Sequence, residues 1–194
     1  MSANLNIVLF SIDFIDIDQI IEALNVLGLS VMIQKVETIK NWEFENLREH
    51  ALKLSAKSLK DLVDSGDIIL ISGLIIATYY FGIMIDKLEN GIFDTRISID
   101  TKLMENLDNG IINSFNQSFY DSISKIVLSE KISKNLLLAT MGVESVIEYD
   151  NVFRNIFENS HNIVRWIISN EDMVSVLKEN DYIESDRLVW DKKS

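Results

Sequence analysis

Cysteine is absent from the chain, which rules out disulfides, thiolate nucleophiles and every cysteine-ligated zinc site. Proline is absent too, where a usual frequency of ~5% would place about ten in a chain this long. Histidine occurs only twice, so a histidine-rich metal centre is excluded. Basic residues are scarce: 18 Lys and Arg face 30 Asp and Glu, leaving a net charge of -12. Such a field repels nucleic acid and anionic membrane surfaces and favours a cationic partner.

No basic segment precedes an apolar one at Met1–Ile7, so a signal peptide is not expected and the chain reads as cytoplasmic. Ile68 to Ile85 is the one long uncharged run, 18 residues between Asp67 and Asp86. Its length approaches that of a membrane span. Ser72, Gly73, Thr78, Gly82 and the Tyr79-Tyr80 pair inside it, and the lack of flanking Lys or Arg clusters, favour two buried strands instead. The break between them is expected at Ser72-Gly73.

What is present is the pattern of one globular domain. With 47% hydrophobic and 25% charged residues over 194 positions, residues 1–194 form a single α+β domain with no linker, repeat or low-complexity tract. Leu5 to Ile12 reads as a buried strand. A helix follows, with Ile17, Ile20, Ile21, Leu24 and Leu27 on one face and Gly28 at its end. Val31 to Ile39 is the next strand. This strand–helix–strand opening leads into a mixed or antiparallel sheet flanked by helices. Apolar spacing predicts a surface helix over Phe44 to Val63, closed by Ser65-Gly66. Glu89-Asn90-Gly91 predicts a hairpin with a tight primed turn. Beyond it Phe93, Thr95, Ile97 and Ile99 alternate with Asp94, Arg96, Ser98 and Asp100, as on a half-solvated strand.

After Asn109-Gly110, Ile112, Phe115, Phe119, Ile123 and Ile126 mark one helix face, with both phenylalanines as core. Leu136 to Val143 and Ile163 to Ile168 read as strands. Asn151 to Glu158 and Met173 to Leu177 read as short helices, and Tyr182 to Trp190 as a terminal strand or hairpin. Trp166 is expected to be buried, while Trp42 and Trp190, in polar company, are candidates for partly exposed anchors.

The best candidate for catalysis is the carboxylate group Asp13, Asp16 and Asp18 past the first strand, where phosphoryl-transfer enzymes hold magnesium. The spacing does not place an Asp-x-Asp directly on the strand as in phosphatase-like enzymes, and no Gly-rich phosphate loop or Lys-bearing motif accompanies it. Helix capping and dipole compensation explain the same residues. A magnesium-dependent hydrolase or phosphotransferase is therefore the second reading, and a regulatory or structural interaction subunit the third. His50 falls in the charged run of a surface helix, and His161 precedes a strand. Neither stands in a nucleophile motif. No catalytic residue, metal or cofactor is expected.

One asymmetry remains. Between Glu144 and Asp186 there are ten acids against three bases, a candidate landing surface for a basic protein. Glu144, Glu148, Asp150, Glu158, Asp181 and Glu184 are its candidate contacts. In the same region, Leu138 to Asp150 (LATMGVESVIEYD) and Ser160 to Ile168 (SHNIVRWII) resemble segments of the immunity proteins of bacterial polymorphic toxin systems. That resemblance implies a non-enzymatic cytoplasmic protein that protects the producing cell by binding a cognate toxin. It transfers no residue role.

Overall fold

Strand β1 (Asn4–Ser11) lies inside the sheet, paired antiparallel on one side with β6 (Phe93–Asp100) and on the other with β7 (Leu136–Val143). It thereby joins two groups of strands. β2 (Val31–Ile39), β3 (Arg48–Glu49), β4 (Ile68–Ile75), β5 (Tyr79–Lys87) and β6 stand on one side. The chain's later strands, β7, β8 (Arg165–Ile168), β9 (Tyr182–Asp186) and β10 (Val189–Lys192), stand on the other. The order is β3-β2-β4-β5-β6-β1-β7-β8-β10-β9, one open ten-stranded sheet whose pairings are antiparallel. The computed structural model describes residues 3–40, 46–103 and 111–193. The protein is an α+β domain, and its strand–helix–strand opening is present. Its two strands are not neighbours, since β4, β5 and β6 lie between β2 and β1.

Alternation along the strands separates two cores. Leu5, Ile7 and Leu9 of β1 face the larger one, with Ile69, Ile71, Phe81, Ile83, Ile97 and Ile99. Four helices cover that face: α1 (Ile17–Val26), α2 (Ala56–Asp64), α3 (Gln117–Val127) and α4 (Glu130–Ser133), through residues such as Ile20, Val63, Ile123 and Ile132. Val8 and Phe10 face the other side, where α5 (Phe153–Glu158) and α6 (Val174–Glu179) pack Ile156 and Leu177 over Leu138, Trp166, Ile168 and Trp190. The second core therefore covers β1 and the strands after it. On that side, no helix covers β2, β4 and β5 among the described residues.

Several local expectations are corrected. The Ser72-Gly73 break is not a turn. Gly73 stays within β4, opposite the bulge in β2, where a Cβ would collide with the Met32 carbonyl. Glycine permits that close backbone approach. The chain turns instead at Ile76 and Ala77, both at positive φ (52° and 57°), with the Thr78 N–H donating to the Ile75 carbonyl. Nothing in their residue types announces it. The 89–91 hairpin is present, but Gly91 alone takes positive φ, so the turn is not a primed one.

The helix expected over 44–63 is confined to Ala56–Asp64, where the Ser55 hydroxyl accepts from the Ser58 N–H and caps its start. Positions 41–45, Trp42 and Phe44 among them, lie outside the described residues. The later helix begins at Gln117 rather than near Ile112. Asn113 and Asn116 side chains accept from the backbone N–H groups of Phe115 and Asn113, offering the chain a turn in place of a helix. Phe119 is core as expected, but Phe115 precedes the helix and is 72% exposed. Trp190 is not an exposed anchor: it sits directly opposite Trp166, and both are buried in the second core.

Candidate interaction surfaces

Two of the three carboxylates after β1, Asp13 and Asp16, are engaged in holding the fold, while Asp18 takes part through its backbone N–H. Asp16 caps α1, accepting from the Asp18 N–H at 3.1 Å. Asp13 forms an ion pair with Lys60 of α2 and accepts from the Phe14 N–H. The Lys60 hydrogen bond, more than any other influence, holds the Asp13 carboxyl below its ordinary pKa. Lys60 and Lys87 both lie over the Phe93 ring, and Lys87 in turn pairs with Asp64 at 2.6 Å. No group of three or more His, Asp or Glu suited to a metal ion occurs among the described residues.

The two histidines are far apart in role. His50 follows β3 rather than lying on a helix, and its Nε2 is 2.9 Å from Thr38 Oγ1. His161 bridges to Val146 through its backbone and lines a recess of about 310 Å³ with Ser160, Asn162, Asn180 and Lys192. Among the described residues no carboxylate lines that recess beside His161 and Ser160.

Sequence reasoning missed the charge cluster buried beneath α3. Arg165 of β8 is fully buried, and its Nε and Nη2 donate to the two Asp191 carboxylate oxygens at 2.5 and 2.8 Å. Its Nη1 reaches Asp121 and Ser124 of α3, at 2.8 and 3.0 Å, and the guanidinium lies over the Tyr120 ring. Burial pushes the Tyr120 phenol up to about 12. An arginine in an apolar strand, facing an acid on the next strand, was the available signal. It could not be read without the β8–β10 register.

The six acidic candidates are all exposed, and they fall in three places. Glu144 ends β7, where its carboxylate accepts from the Asn4 N–H at 2.5 Å. Glu148, Asp150 and Glu158 belong to the 145–160 excursion that lies over the second core. Asp150 accepts from Val152 N–H and Asn155 Nδ2, tying the approach to α5 to its first turn. Asp181 and Glu184 lie at the β9 edge, Asp181 at 3.6 Å from Lys193. Glu148, Glu158 and Glu184 form no ion pair with another described residue.

The excursion borders the uncovered half of the sheet. Arg96 of β6 binds Asp94 through three hydrogen bonds of 2.7–3.1 Å, and its Nη2 also donates to the Ile147 carbonyl, immediately before Glu148. Asp94 is buried and stands opposite Asp86 of β5. Burial raises its pKa, Arg96 pulls the other way, and Asp86 adds to the rise. Beyond Arg96 the bare face carries Leu70 and Leu74 of β4, Tyr80 and Met84 of β5 and Met32 of β2. None of these five packs against either core, and Met32 and Tyr80 are 49% and 46% exposed. At the Ile39–Ile68 pair the same face is buried again.

No helix among the described residues is long and apolar enough to cross a membrane. Comparison with protein-family models, curated proteins and solved structures finds no match to this chain.

Proposed function

We propose that this chain is a cytoplasmic, non-catalytic binding protein that captures a basic protein through its acidic C-terminal third. In this reading it acts as an immunity protein, neutralising a cognate toxin domain. One observation carries it: within the acidic C-terminal third, three exposed carboxylates have no ion-pair partner among the described residues. Asp13 and Asp16 are committed to an ion pair and a helix cap, whereas Glu148, Glu158 and Glu184 stand exposed with no cation among the described residues. Charge left unneutralised at a surface steers an oppositely charged partner and raises its association rate.

The test is affinity capture from the producing cell with the wild-type chain and with a Glu148→Lys, Glu158→Lys, Glu184→Lys variant. A basic protein retained by the first and lost by the second supports the reading. A captured partner that is acidic, or that is retained equally by both, contradicts it. A toxin whose activity is unaffected by stoichiometric addition of the chain would contradict the neutralising role.

A further inference from the structure

The bare half of the sheet carries a contradiction between its sequence and its surroundings. β4 reads Ile-Ile-Leu-Ile-Ser-Gly-Leu-Ile, apolar on both faces, the composition of a strand covered on both sides. One face meets that expectation, since Ile69, Ile71 and Ile75 lie in the larger core. The other, with Leu70 and Leu74, belongs to neither core and extends across the register into Met32, Tyr80 and Met84. Tyr80 folds over Gly82, where a Cβ would collide with its hydroxyl, so the ring spreads across the face. Scattered apolar side chains at a surface are ordinary, but a contiguous group rimmed by charge marks an interface.

The rim identifies the occupant. Five acids share this face by register: Glu37, Glu49, Asp86, Asp94 and Asp100. Its two bases are each committed to an acid on their own strand, Lys35 to Glu37 at 2.7 Å and Arg96 to Asp94. A second copy docking face to face would set Glu49 and Asp86, neither in an ion pair among the described residues, against their own counterparts, because a two-fold contact uses one patch twice. A partner that brings Lys or Arg to the rim and apolar side chains to the centre meets no such opposition.

We propose that Met32, Leu70, Leu74, Tyr80 and Met84 form the apolar centre of the interface for the basic protein partner, with the Glu148-bearing excursion as its adjoining wall. This rests on the binding-protein reading above and extends it from a steering surface to a docking face. The Arg96–Ile147 hydrogen bond joins the two into one continuous surface.

The experiment places the photo-crosslinker p-benzoylphenylalanine at position 80 of the full chain in the producing cell and identifies the adduct by mass spectrometry. The expected adduct is a basic protein, cross-linked through a peptide that carries apolar residues beside Lys or Arg. An adduct with a second copy, an acidic protein or a nucleic acid, or no adduct at all, overturns the proposal. The identified protein is then titrated against a Leu74→Ser, Tyr80→Ser variant. Its affinity should fall on the order of 30-fold, the size of a central interface contact. Its melting temperature should hold, because neither side chain packs in a core. Unchanged affinity overturns the docking face. If the Glu148, Glu158, Glu184 reversals alone slow association, the steering surface stands and the docking face fails. If the sheet variant alone loses binding, the docking face stands and the steering surface fails.

Discussion

Arg165 and Asp191 stand directly opposite each other on β8 and β10, both buried and joined by two hydrogen bonds. With Asp121 and Ser124 they tie α3 to the C-terminal strands. Removing one member strands the other in a low-dielectric interior. Asp191→Asn or Arg165→Met should therefore each cost about 3–5 kcal/mol in urea denaturation. The Arg165→Met, Asp191→Asn double variant should cost less than the two single changes added together. Full additivity would show that the pair does not act as a unit.

The Tyr120 hydroxyl is buried and has no hydrogen-bond partner among the described residues, so Tyr120→Phe should leave stability unchanged or raise it by about 1 kcal/mol. The ring, and its contact with Arg165, is kept. The same phenol predicts alkaline behaviour. Its folded pKa of about 12 lies above the ordinary 10.0, so the folded state holds a proton that the unfolded state has lost. Its contribution to stability is intact below pH 10 and disappears as pH rises toward 12. Ultraviolet titration should show this tyrosine ionising late, and Tyr120→Phe should remove that last step. A loss above 2 kcal/mol in the variant would mean that the hydroxyl is bonded.

Ile76 and Ala77 occupy left-handed backbone that asparagine and glycine tolerate far better, a β-branched residue being the least suited. Ile76-Ala77→Asn-Gly should stabilise the chain by about 1–2 kcal/mol in thermal or urea unfolding. Destabilisation would show that the Ile76 side chain contributes more than its backbone strain costs.

Much of the fold was legible because the backbone period and the burial pattern agree. β2 and β7 occupy the expected residues, and β6 turns Phe93, Thr95, Ile97 and Ile99 inward, although Asp94 and Asp100 on its other face are buried rather than solvated. Where side chains compete with the backbone, as at Asn113 and Asn116, periodicity overstated the helix. At Ile76-Ala77 the turn is imposed by the pairing of β4 with β5, against local preference. The exposure of the six acids was readable from their charge. Their division among the β7 end, the excursion and the β9 edge was not, because it depends on strand order. The bare half-sheet was hidden for a similar reason: an apolar strand looks doubly covered until the helices are placed.

The central claim is that a basic partner is drawn to this chain by unneutralised acids. Its most direct measurement is the association rate of the captured partner with wild type and with the Glu148→Lys, Glu158→Lys, Glu184→Lys variant, from low to high salt. The expected result is a fast, steeply salt-dependent rate for wild type, and a rate lowered by about tenfold or more, with a shallower slope, for the variant. An association rate indifferent to salt and to all three reversals would contradict the account.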